Sequence, residues 1–149
     1  MDISYFFDLY RDKFFPVYGN FVALSLKKPL QVLIEESNAL SHLSQVFNSK
    51  LGKVKQKENL TKAEDHLVRA ILDTQKLTWV ELAKNLKMLI DDEKKRLSFN
   101  LPEHEVINQY NDFLLKGREA RNIELAHLGN DPLIAITSYD ELIAIGYTC

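Results

Sequence analysis

The chain has 149 residues, 46% hydrophobic and 27% charged, with only 5 Gly and 4 Pro. That length suits one domain whose core needs neither metal nor disulfide, and so few turn residues argue against a β fold and for long helices. A net charge of -2 argues against a protein that grips nucleic acid over its whole surface, while leaving room for a local basic cleft.

Cys149 is the only cysteine, so no internal disulfide forms and a reducing, cytoplasmic location is expected. No basic stretch followed by an apolar core and cleavage site opens the chain, so no secretory leader is expected, and no apolar run approaches the length of a membrane span. No repeat, Gly-rich phosphate loop or serine-nucleophile motif is present, which disfavours the enzyme classes that announce themselves in that way.

Residues 2–26 are rich in aromatics, among them Phe7, Tyr10, Phe14, Tyr18 and Phe21 at helical spacing with an interruption near Pro16. They read as a core-facing helix or pair of short helices. A base-stacking platform would need basic residues interleaved, and only Arg11 and Lys13 intervene. Pro29 is placed to begin a second helix through Val32, Leu33, Leu40, Leu43 and Phe47, with His42 as a boundary residue.

Residues 48–60 lose the period and carry Lys50, Lys53, Lys55 and Lys57, which predicts the main loop, either a solvated connector or a flexible phosphate contact. Thr61 with Glu64 then makes a capping box that opens a helix through Leu67, Val68, Ile71 and Leu72. A polar line of His66, Arg69, Asp73 and Lys76 runs along one face of it. Those side chains either meet water and carboxylates of a neighbouring helix, or His66 and Arg69 join a cleft formed further along the chain. Their mixed charge, with no His or Cys pair at ligand spacing, disfavours a metal site.

The pattern continues through Trp79, Leu82, Leu86 and Ile90, with a kink expected near Thr78, and ends in the run Asp91–Arg96. Pro102 opens the next helix, through Val106, Tyr110 and Phe113, and Gly117 predicts a bend in it. After Pro132 the run Leu133–Ile136 reads as extended. Ser138 and Glu141 then cap a short final helix that Gly146 ends, packed on the bundle or on a second copy. The fold expected is all-α: one domain over 1–149, an up-and-down bundle of about four main helices plus short terminal ones.

Arg118 to Asp131 holds an arginine, a polar amide and a histidine close to a helix end, with Gly129 where the helix stops. The helix dipole and free carbonyls of a last turn favour a protonated imidazole at His127, which suits proton transfer. Arg121 and His127, six residues apart, point roughly 120° away from each other on a straight helix. A shared site needs a distorted helix end or a second copy facing the first.

Arg121, Asn122 and His127 resemble the signature of the HEPN superfamily of helical bundles: arginine, a polar residue, then histidine after a short spacer. The resemblance covers the local motif and the helical plan. It implies a homodimer whose two motifs line one cleft and, in active members, an endoribonuclease of the toxin or phage-defence kind that needs no metal or cofactor. By that likeness Arg121 would neutralise the scissile phosphate, Asn122 would orient it and His127 would exchange a proton with the ribose 2′-hydroxyl, leaving a 2′,3′-cyclic phosphate. Arg118, His66 and Arg69 would help to bind the RNA. The alternative is a non-catalytic helical module that binds a partner protein or a nucleotide. The resemblance also implies an antitoxin or nucleotidyltransferase as partner.

Overall fold

The structure is a computed structural model that describes residues 2–129 and 131–149; Asn130, within the motif stretch, lies outside them. All regular structure among these residues is helical. The elements are α1 (Ser4–Leu9), a π turn (Tyr10–Phe14), α2 (Phe15–Ser25), α3 (Leu30–Val46), α4 (Lys53–Asp91), α5 (Glu93–Leu97), α6 (Glu103–Ala126) and α7 (Pro132–Thr148). The chain forms two compact units, Met1–Thr74 and Gln75–Cys149, with the boundary inside α4. None of the described helices is long and apolar enough to cross a membrane.

In the first unit, Phe6, Leu9, Phe14 and Phe21 are buried with Val32, Ala39 and Val46 of α3 and Leu60, Ala63, Leu67, Ala70 and Ile71 of α4. The interruption expected near Pro16 is the π turn. Proline offers no N–H and its ring crowds the carbonyl four residues back, so a wider turn just before it relieves the clash. Ring contacts at 5.4 Å (Tyr10–Phe14) and 5.5 Å (Phe14–Tyr18) run through that turn.

The long loop expected over 48–60 is not there. A short connection follows α3, and α4 already begins at Lys53. Thr61 is therefore no cap: it lies inside the helix and its hydroxyl donates back to the Lys57 carbonyl at 3.3 Å. Apolar periodicity fails here because the first turn of α4 buries no apolar side chain: Val54 is exposed and only Gln56 is half-buried, so its lysines carry no pattern although they are good helix formers. Leu60 is the first residue of the buried stripe that continues through Ala63 and Leu67.

In the second unit, Gln75, Thr78 and Leu82 of α4, Phe113 and Ala120 of α6, and Ala135, Ile136, Tyr139 and Leu142 of α7 form the core. Two glycines read as a bend and a stop serve close packing within unbroken helices. A Cβ on Gly117 would meet the Trp79 indole at 2.2 Å, and one on Gly146 would meet the Phe113 ring at 2.8 Å and Leu82 at 2.9 Å. The segment expected to be extended after Pro132 is the start of α7. Asp131, not Ser138, caps it by accepting from the Leu133 N–H at 3.0 Å. α4 runs through Thr78 to Asp91, and Asp92 caps the short α5. Pro29 and Pro102 sit one residue outside α3 and α6, as their N-caps.

Candidate functional site

The motif lies on α6 in the second unit. Phe113, Gly117 and Ala120 face the core, and Glu124 continues that stripe. One helical step of 100° per residue then turns Arg118, Arg121 and Asn122 outward, and all three are exposed. His127 is the C-cap residue and half-buried; its backbone N–H meets the Ile123 and Glu124 carbonyls, and its Nδ1 sits 2.8 Å from the Ile123 oxygen. A carbonyl only accepts, so Nδ1 carries the proton and Nε2 is the nitrogen left for other chemistry. Within one chain Arg121, Asn122 and His127 thus leave the helix in different directions.

Glu124, between them in sequence, is fully occupied. Lys76 Nζ approaches Oε1 at 3.1 Å and the Tyr139 hydroxyl donates to Oε2 at 2.6 Å. Burial, then the Glu124 carboxylate, hold the Tyr139 phenol well above its ordinary value of 10.0, with Arg121 opposing in part. Gln75 Nε2 donates to the Ile136 carbonyl at 2.9 Å and to Asp140 Oδ1 at 2.8 Å. These bonds tie α4, α6 and α7 together within the unit. The hollow beside this part of α6, about 290 Å³, is lined by Lys116, Glu119, Ala120 and Ile123 with Ser138 and Glu141, and the three motif residues are not on its wall.

His66 and Arg69 belong to the first unit. Arg69 is exposed, while His66 takes part in a cluster whose other members, Glu35, His42 and Asn59, sequence reading did not single out as a site. His66 Nδ1 lies 2.6 Å from Glu35 Oε2, and His42 Nδ1 lies 2.9 Å from Asn59 Oδ1. The two imidazoles stack with centroids 5.3 Å apart and planes 12° apart. Each helix therefore sends one histidine to an acceptor on the other. Glu35 and His42 are spaced by seven residues on α3, Asn59 and His66 by seven on α4, and the pairs form in reverse order, so the helices run antiparallel. Those matched heptad spacings were the signal available in the sequence.

The outward side of α3 is a second unusual surface. Opposite the buried Val32, Ala39 and Val46, the residues Leu30, Leu33, Ile34, Ser37, Leu40, Ser41 and Ser44 fall within an arc of about 120°. No charged side chain interrupts that arc. Leu30 is 72% exposed and Leu40 52%. Ser44 turns its hydroxyl back onto the Ser41 carbonyl at 2.7 Å, which makes the face less polar than its composition suggests.

No protein-family model matches this chain, and neither does any curated protein or solved structure.

Proposed function

We propose that this chain is a non-catalytic helical interaction module that pairs with a second copy of itself through the outward face of α3. The observation that carries the reading is that face, free of charge over the length of a 17-residue helix and apolar at Leu30, Leu33, Ile34 and Leu40. Ordinary solvent faces carry charges, and apolar area left in water is costly. A neutral face is its own complement: a two-fold axis brings the same leucines and serines together with no like charges opposed. The test is sedimentation equilibrium of the wild type and of the double variant Ile34→Glu, Leu40→Glu. The wild type should be a dimer and the variant a folded monomer; a wild-type monomer, or a dimer that survives both charges, overturns the reading.

A second reading, a HEPN-like metal-independent endoribonuclease, is favoured by two features of α6. Arg121 and Asn122 are exposed and open to a phosphodiester, and His127 is anchored through Nδ1 with Nε2 left for proton transfer. It also calls for a homodimer, since the motif residues diverge within one chain, and an antitoxin or nucleotidyltransferase partner belongs to it. Incubation with single-stranded and transfer RNA in the presence of a chelator decides it. Cleavage to 2′,3′-cyclic phosphate ends, abolished by Arg121→Ala, supports the enzyme; intact RNA at high protein concentration removes it.

A further inference from the structure

The stacked pair His42–His66 has a chemistry set by its hydrogen bonds. Asn59 Nδ2 is committed to the Lys55 carbonyl at 2.9 Å, so Asn59 Oδ1 faces His42 and the proton between them belongs to His42 Nδ1. Glu35 carboxylate likewise accepts from His66 Nδ1. Both rings are thereby pinned at one nitrogen, and both have Nε2 left to meet a ligand. A metal ion chelated by both rings would have to lie in both ring planes, on the line of each Nε2 lone pair. Offset rings whose planes differ by only 12° do not allow it.

Lys55, Asn59, Lys62, His66 and Arg69 recur every three or four residues along one stripe of α4, about 21 Å long at 1.5 Å per residue, and Asp73, which has a partner of its own, follows one turn later; basic side chains outnumber acidic ones along it. Lys62 and Arg69 flank His66 one turn to either side, and both are exposed. Glu35 is engaged beneath His66, and its neighbour Glu36 accepts from the Tyr10 hydroxyl at 3.2 Å. The carboxylates of α3 on this side are thus turned to partners within the unit.

The geometry points to an oxyanion site in which a phosphate group is held by Nε2 of His66 and His42 and by the side chains of Lys62 and Arg69. Imidazole Nε2 meets hydrogen phosphate whether it carries its proton or accepts one, the guanidinium offers a forked pair of donors, and the lysine adds charge. Free phosphate and the phosphodiester of a nucleic acid share the guanidinium and ammonium contacts, but a diester has no P–OH to donate and so meets Nε2 only where that nitrogen carries a proton.

The test follows the histidine ring resonances of the full chain by NMR while inorganic phosphate is added at pH 6.5, and then repeats the titration with a dinucleotide and with sulfate. Saturable shifts of both His42 and His66 are expected with phosphate. Arg69→Ala, a surface change that leaves the fold intact, weakens binding about three- to tenfold, and His66→Gln weakens it about tenfold or more. Lys94→Ala on α5 leaves it unchanged. Saturation by the dinucleotide as well assigns the site to phosphodiesters, whereas saturation by phosphate alone assigns it to a terminal or free phosphate. Phosphate that leaves both rings unmoved, or binding that survives Arg69→Ala undiminished, overturns the site.

Discussion

Trp79 of α4 packs against α6 at Gly117, so closely that a methyl group there would come within 2.2 Å of the indole. The ring also tilts against Phe113 at 6.3 Å. Glycine at this point costs about 1 kcal/mol of helix propensity relative to alanine, and close packing of the largest side chain offsets it. Gly117→Ala must therefore push the indole outward despite the better helix former. A loss of roughly 1–3 kcal/mol is expected, seen as a melting point several degrees lower. Trp79 is the only tryptophan, so its fluorescence emission reports the displacement directly.

Thr61 separates two accounts of α4 by the sign of one substitution. As an interior, exposed and β-branched residue of a continuous helix, it should be improved by alanine, with Thr61→Ala stabilising by about 0.5 kcal/mol. As an N-cap it would lose about 1 kcal/mol on the same change. Urea unfolding of the two proteins distinguishes the outcomes.

Tyr139 is 2% exposed and its hydroxyl donates a hydrogen bond to Glu124. Because the folded protein holds this phenol above its ordinary value of 10.0, the folded state keeps the proton where the unfolded chain has begun to lose it. The stability that Tyr139 contributes is complete below pH 10 and is lost as pH rises beyond it. Tyr139→Phe should cost about 1–2 kcal/mol at pH 8, and the gap to wild type should narrow by about 1.4 kcal/mol by pH 11. Denaturant melts at the two pH values measure it.

Glu35 and His66 form a half-buried bond between α3 and α4, and removing one partner strands the other. Glu35→Gln is expected to destabilise by about 1–3 kcal/mol. Adding His66→Gln to it should cost less than the sum of the two single changes, a coupling of roughly 1 kcal/mol in a double-mutant cycle. Strict additivity would mean that the contact carries no energy.

Arg121 and Asn122 are exposed on α6, so Arg121→Ala and Asn122→Ala should each change stability by no more than about 0.5 kcal/mol. His127→Ala, which removes the bond to the Ile123 carbonyl, should cost about 1 kcal/mol. Thermal melts of the three variants fix those baselines. Any loss of ribonuclease activity in the first two then reflects chemistry and not folding.

The all-helical class was legible in the chain because it rests on local quantities: few Gly and Pro, and a 3.6-residue apolar period that survives through Leu67, Ile71 and Leu82. The start of α4 was not, since Lys53 to Glu58 bury no apolar side chain and leave nothing periodic to read. The glycines misled for a related reason. A glycine in the turn after a helix and one that admits a neighbour's ring look identical in sequence, and Gly117 and Gly146 are of the second kind while Gly129, at a φ of 81° two residues past the His127 C-cap, is of the first. Of the candidate site, the exposure of Arg121 and the position of His127 at a helix end followed from spacing along α6 alone. The assignment of Glu124 to Lys76 and Tyr139, and the meeting of His42 with His66, depended on which helices pack side by side. Hydrogen bonds between residues 31 or 48 positions apart are decided by that packing, and helical periodicity carries no information about it.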